Sequence, residues 1–231
     1  MDVDLNSDMG EGIGFDADLI PLVTSANVAC GFHAGDPTTA LQTLRLAAEH
    51  RVSVGAHPGH PDREHFGRRE LDRSPEQVFA DCVYQIGALM GLAKVAGCRV
   101  SYVKPHGGLY HQSGRDDRYA EPVIAATERF GLALIGLPGS RLQERSAGRC
   151  PFFAEGFADR RYRPDGTLVP RDQPGAIIDD PAEAVRQTEW LLAERGVRTI
   201  CVHGDNPQAL RFVQELRQAL MQRGFRLKAF A

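Results

Sequence analysis

Residues Asn27 to Asp36 read NVACGFHAGD. Val28 and Ala29 close a short apolar run of the kind that forms a buried strand. A glycine turn carrying His33 follows. Asp36 then offers an N-cap carboxylate, with Pro37 at the first helical position. A histidine at the hand-over from strand to helix sits where α/β proteins place their active sites. The same grammar recurs in GAHPGHPD (55–62), KPHGGLY (104–110) and VHGDNP (202–207). Each is a short apolar run ending in histidine, glycine and proline.

Outward from these four points, the chain reads as alternating strands and helices. Strands are predicted at 3–6, 28–29, 52–57, 100–103, 132–137, 151–157 and 199–203, with a short extra one at 175–178. Helices are predicted over 36–50, 74–96, 117–130, 180–195 and 207–223. Ser74-Pro75-Glu76-Gln77 is a capping box, Gly97 a stop signal, and Asn206-Pro207 a start signal. The strands carry no obvious hydrophobic alternation of period two, which suits a parallel sheet covered by helices. The expected fold is α/β, a (β/α) barrel of about seven parallel strands forming one domain over 1–231. An open doubly wound sheet is the alternative. No GxGxxG fingerprint is present.

Composition narrows the function. The 231 residues carry a formal net charge of −3, unlike the basic footprint of a nucleic-acid binder. No stretch reads as a membrane span of about 18 apolar residues. The opening MDVDLNSDMG lacks the basic and apolar regions of a signal peptide. The five cysteines are odd in number and form no CxxC pair, which fits a reducing cytoplasm. Cys30 and Cys201 fall in apolar runs and read as packing residues. The lysines are Lys94, Lys104 and Lys228, and no GxxxxGK[ST] phosphate loop occurs.

In a barrel, the residues just after each strand converge on one rim. That rim would gather Asn6, Asp8, His33, His57, Lys104, His106, Glu155, His203 and Asp205. Imidazoles with a carboxylate suit zinc or another transition metal. The same histidines suit general acid–base work near neutral pH. The residues leave both open. Pro105 biases Lys104 toward extended backbone and so toward the rim. Arg160, Arg161 and Arg163, and equally Arg68 and Arg69, are either solvated charges or clamps for a carboxylate or phosphate. His50 and His65 read as surface residues.

The segments DLNSDMGEGIG, SANVACGFHAGDP, VGAHPGHPDREHFGRR, YQIGAL, VKPHGGLY, EGFADRRY, LVPR, GAIIDD and CVHGD occur in this order along nearly the whole chain. Together they resemble the lactam-utilisation (LamB/YcsF-type) family of bacterial 5-oxoprolinase A subunits. Ser7 stands where that family often has cysteine, and Gly108 where it often has alanine. The resemblance implies a seven-stranded barrel like those of glycoside hydrolases and deacetylases. It implies ATP-dependent opening of 5-oxoproline to L-glutamate with partner subunits B and C, which would handle the ATP, and it leaves room for a divalent metal. In that scheme Asp8, His33, His57, Lys104 and His106 are catalytic. Asp8, His33 and His57 are the candidate metal ligands. Asn6, Arg68, Glu155, Arg161, His203 and Asp205 bind substrate. A stand-alone metal-dependent deacetylase of carbohydrate or another N-acyl substrate, and a non-catalytic substrate-binding subunit, are the competing expectations.

Overall fold

The computed structural model describes residues 1–171, 173–203 and 207–231. Strands β1 (Asp2–Met9), β2 (Ser25–Ala29), β3 (Ser53–His57), β4 (Val100–Val103), β5 (Ala133–Gly136), β6 (Phe152–Phe157) and β7 (Thr199–Cys201) pair in sequence order, all parallel. Because β1 pairs with β7 as well as with β2, the sheet closes into a seven-stranded barrel. A two-residue strand β8 (Arg226–Leu227) adds to the beginning of β1. Around the barrel lie α1 (Asp16–Leu19), α2 (Pro37–His50), α3 (Pro75–Ala96), α4 (Gly107–Arg115), α5 (Asp117–Arg129), α6 (Arg141–Ser146), α7 (Pro181–Glu194) and α8 (Pro207–Gln222).

The helix starts follow their sequence signals. Asp36 accepts the Thr39 amide at 2.8 Å, and Ser74 and Gln77 form the reciprocal capping box. Gly97 ends α3 in the left-handed conformation. The expected cap at Asn206 lies outside the described residues. Three expectations change. Residues 107–115, read as loop, are helical, as is the short α6. The strand expected at 175–178 is a single bridge between Arg160 and Ile177. Strand β1 is twice as long as expected and alternates with period two.

That alternation decides what the barrel contains. Val3, Leu5 and Met9 face the helices and join the main hydrophobic core. Asp4, Asn6 and Asp8 face the barrel axis, where each finds polar partners. Asp4 accepts the hydroxyls of Thr24 and Ser25, both at 2.6 Å, and that of Thr199. Asn27 donates to Asn6 at 2.7 Å and accepts the Tyr102 hydroxyl at 2.8 Å. Gly55 makes room for Tyr102, since a Cβ there would sit 2.0 Å from the ring. Barrels of this type usually pack branched apolar side chains inside; here the axis is a hydrogen-bonded polar column. Phe230 packs on Tyr102 and Phe153, with ring centroids 5.1 and 4.3 Å apart, beside Ala133 and Ile135.

Helix α3 also departs from expectation. Its 22 residues include an 18-residue window of mean hydropathy 1.4, long and apolar enough to cross a membrane by length and composition. One face of it, with Val78, Cys82, Ile86, Leu89 and Ala93, is buried in the core. Its outward face carries Tyr84 and Val95, which are exposed.

Burial raises the Asp4 carboxyl to about 6 against the opposing effect of its hydroxyl donors. The folded state therefore holds this proton more tightly than the unfolded chain, and stability drains away as pH rises from about 4 to above 6. Asp4→Asn removes that titration. Its stability relative to the wild type is expected to improve by up to about 3 kcal/mol between pH 4 and pH 7. Urea unfolding of both proteins across that range checks it; a constant difference would contradict the assignment.

Candidate active site

A cavity of about 610 Å³ opens at the C-terminal ends of the barrel strands. Its floor is organised by Lys104, the residue after β4, which is 2% exposed. The Lys104 Nζ lies 2.8 Å from Glu155 Oε1 and 3.0 Å from Asp8 Oδ1. It also reaches Cys201 Sγ at 3.2 Å and Asn6 Oδ1 at 3.4 Å. Burial alone would strip this ammonium of its proton. The Asp8, Cys201 and Glu155 groups reverse that and raise its pKa well above the ordinary lysine value. Asp8 moves the other way. Burial would raise its pKa, but the charges of His57 and Lys104 hold it well below the usual carboxylate range. Tyr110, from α4, donates to the second Glu155 oxygen at 3.0 Å.

Beside this floor stand three histidines, His33 from the loop after β2, His57 at the end of β3 and His106 at the start of α4. His33 and His106 stack face to face with centroids 3.8 Å apart, and His57 meets both edge-on. Burial, followed by the neighbouring imidazoles, lowers the pKa of His33 and of His106 well below the ordinary value. Two backbone carbonyls set the tautomers. His57 donates from Nδ1 to Lys104 O at 2.7 Å, and His106 donates from Nε2 to Phe66 O at 2.8 Å. The remaining nitrogens, His57 Nε2 and His106 Nδ1, then face each other at 2.9 Å. Two lone pairs at that distance require a shared proton or a cation between them.

A transition metal fits here. Ligand atoms of Glu11, His33, His57 and His106 all lie within 4.8 Å of one another. Glu11 Oε1 is 3.5 Å from His33 Nε2 and 3.8 Å from His106 Nδ1. A tetrahedral zinc site with ligands at about 2.0–2.1 Å has edges near ~3.3 Å. The two carbonyls that orient His57 and His106 are the outer-shell partners such a site needs. Neither ring nitrogen of the fully buried His33 has a hydrogen-bond partner. In this group Glu11 supplies the carboxylate beside the expected His33 and His57, while Asp8 gives Oδ1 to Lys104 and Asn27 and keeps Oδ2 3.4 Å from His57 Nε2. As a lone acid in a polar loop, Glu11 carried no sequence signal.

Across the cavity, His203 is held by Asp159. The Asp159 Oδ2 accepts from His203 Nδ1 at 2.7 Å and from the His203 amide at 3.0 Å. Burial would raise the Asp159 carboxyl, but the His203 charge and these hydrogen bonds hold it below the usual carboxylate range. A ring nitrogen of His203 lies within 4.8 Å of an Asp8 carboxylate oxygen. Asp159 was missed because it sits two residues beyond β6, inside a charged run.

The structure thus brings Asn6, Asp8, His33, His57, Lys104, His106, Glu155 and His203 together. Arg68 lines the cavity and lies over the Phe66 ring at 5.1 Å. Arg161 does not line it: its guanidinium pairs with Glu183 at 2.6 Å on the exposed face of the loop. The neighbouring Arg160 faces the cavity instead. Asp205 lies outside the described residues. Ser7 points away from the axis between Asn6 and Asp8, so a nucleophile at that position would face the helices. An alanine at Gly108 would place its Cβ 2.1 Å from Arg69 O, so the loop above α4 excludes it here.

The closed seven-stranded barrel has the fold seen in solved carbohydrate deacetylases and esterases. It is similar at 13% identity to the family 4 carbohydrate esterase of Streptomyces lividans, with a TM-score of 0.54 over 100% of this chain and 93% of that one. The chain belongs to the LamB/YcsF family, whose model matches residues 3–231. It is 48% identical to a 5-oxoprolinase A subunit of Pseudomonas syringae pv. tomato, over 99% of this chain and 97% of the relative. The lactam utilization protein of Thermus thermophilus superposes with a TM-score of 0.91 at 42% identity, each chain covered completely.

Removing the Lys104 charge leaves Asp8 and Glu155 uncompensated in a buried site. Lys104→Met is expected to destabilise the protein by about 3–5 kcal/mol, and a second change, Glu155→Gln, to recover part of that loss. Chemical denaturation of the single and double variants measures both. Additive losses would show that the three groups do not form one charge network.

Proposed function

We propose that residues 1–231 act as the ring-opening subunit of an ATP-dependent 5-oxoprolinase, converting 5-oxoproline to L-glutamate with partner subunits B and C in the cytoplasm. Full-length similarity to 5-oxoprolinase A subunits, together with the Asp8–Lys104–histidine floor, carries this reading. The deacetylase alternative rests on a likeness of fold alone.

A lactam is a poor electrophile, and this chain contains no phosphate loop. The partners would phosphorylate the lactam carbonyl oxygen. Water added to that carbon gives a tetrahedral centre bearing hydroxyl, phosphate and the ring nitrogen. Expelling phosphate simply returns the lactam. Expelling the nitrogen opens the ring to an acyl phosphate, which a second water hydrolyses to glutamate and phosphate. Proton delivery to the ring nitrogen therefore decides the outcome. His203, oriented by Asp159, is placed to supply that proton. Asp8, beside both His57 and His203, orients the water, and where the histidine cluster holds no ion one of its imidazole nitrogens accepts the proton. Lys104 offsets the negative charge that develops on oxygen. A divalent ion held by Glu11, His33, His57 and His106 would supply Lewis-acid polarisation at this floor.

Glutamate release from 5-oxoproline and ATP is expected only when this chain and both partners are present. In that mixture His203→Gln is expected to cut glutamate formation by about 10²–10⁴-fold while ATP hydrolysis continues, because the intermediate collapses backward. Unchanged glutamate formation in the variant would remove His203 from the mechanism. Glutamate release without this chain would remove the proposed function. Equilibrium dialysis against zinc is expected to load one ion per wild-type chain and to weaken by roughly tenfold or more in Glu11→Gln and His33→Ala. Equal loading of all three would place the ion elsewhere.

A further inference from the structure

Between β6 and α7 the chain crosses the barrel mouth as a strap. Its two halves are tied by Arg161 N to Ala176 O and Val169 N to Arg161 O, each at 2.9 Å, and by Ile178 N to Asp159 O, also at 2.9 Å. Gln187 on α7 donates to the carbonyls of Phe157 and Arg160, both at 2.7 Å, and so fixes the strap's first turn. Successive residues on such an extended segment point to opposite sides. Arg161 takes the solvent side. Arg160 takes the cavity side and is 6% exposed.

The Arg160 guanidinium is underused. Its Nη2 donates to Val169 O at 2.7 Å, while its buried Nε has no partner. Among the described residues it forms no ion pair; the adjacent Asp159 gives its Oδ2 to His203. Arginine keeps its charge under these conditions, so a fixed cation with open donors stands in the cavity wall. Arg171 lines the same wall, and its charge, after burial, is the largest influence lowering the Arg160 pKa. His111 faces the cavity too, and its pKa is lowered by burial and then by the Arg160 charge. The floor opposite is the reverse, with Asp8 and Glu155 set against the ammonium of Lys104 and Glu11 beside His33 and His106. Apolar Phe157, Leu168 and Pro170 lie along the same cavity.

A ligand suited to this space has an oxyanion at one end and a neutral polar ring at the other. We propose that Arg160, with Arg171 beside it, is the subsite that takes the carboxylate of the small cyclic amide and turns the ring's carbonyl toward the Lys104 floor. The inference rests on the lactam reading, and it assigns specificity to a residue that touches none of the floor groups. A carboxylate and a phosphoryl group share the chemistry such a fork recognises, so the test separates them.

Isothermal titration would be run on the full chain as wild type, Arg160→Gln, Arg160→Lys and, as a control on the exposed side of the strap, Arg163→Gln. The ligands are 5-oxoproline, 2-pyrrolidinone (the same ring without the carboxylate) and inorganic phosphate. The wild type and Arg163→Gln are expected to bind 5-oxoproline alike. Arg160→Gln is expected to bind it between tenfold and a hundredfold more weakly, with Arg160→Lys between them. 2-Pyrrolidinone is expected to bind weakly and equally to all four. Equal 5-oxoproline affinity in wild type and the Arg160 variants would overturn the subsite while leaving the lactam reading standing. Loss confined to phosphate would overturn it in favour of a phosphoryl site. A wild type that ignores both ring compounds, alone and with both partners and ATP present, would overturn the lactam reading itself, and that result is visible without any variant. If Arg160→Gln does not fold, Arg160→Lys alone decides, since it keeps the charge and loses the fork.

Discussion

One buried ammonium organises this molecule. Lys104 reaches the barrel axis and gathers Asp8, Glu155, Asn6 and Cys201 from three other strand segments. A lysine there bears a large desolvation cost, and each carboxylate beside it bears its own. Together they are tolerable; singly none would be. The strands that carry them must therefore hold one register, because sliding a strand by one residue would turn its polar set out toward the helices. The charge knot thus contributes to specifying the barrel as well as to forming the floor of the cavity.

The polar column beneath the knot extends the same logic. Asp4, Asn6, Ser25, Asn27, Tyr102 and Thr199 satisfy one another across the axis. Without water, each such group demands a partner of fixed geometry. An apolar barrel core tolerates rearranged packing more readily than a hydrogen-bonded one. The column therefore positions Asp8 and Lys104 above it more sharply than branched side chains would. The cost is visible in the raised Asp4 carboxyl.

Much of this was legible in the sequence. Histidine-glycine-proline endings after apolar runs located His33, His57, His106 and His203, because a strand's carboxyl end must turn and expose its next residues on the rim. Capping residues marked the starts of α2 and α3 because those signals are local. What stayed hidden was non-local. Glu11 joins the histidines only through the path of the loop after β1. Asp159 matters only because β7 brings His203 beside it. Whether Arg160 or Arg161 faces inward depends on how the strap pairs with itself, which adjacent identical residues cannot signal. The polar alternation of β1 was present in VDLNSDM. The helix-flanked pattern suggested strands buried in apolar surroundings on both faces, and that expectation masked it.

The two walls of the cavity differ in what they can do, and the difference follows from what holds each side chain. On one wall, backbone carbonyls fix the tautomers of His57 and His106 and leave their free nitrogens facing inward. Carbonyls cannot take a proton, so this wall keeps its lone pairs available to a proton or a cation. On the other, a carboxylate holds His203. That carboxylate fixes the His203 Nδ1 and so orients the ring at the cavity. Asp8 lies between them, with Oδ2 3.4 Å from His57 Nε2 and a carboxylate oxygen within 4.8 Å of a His203 ring nitrogen. The two sides of the cavity thus differ in the kind of group that stands behind each ring, carbonyls for His57 and His106 and a carboxylate for His203.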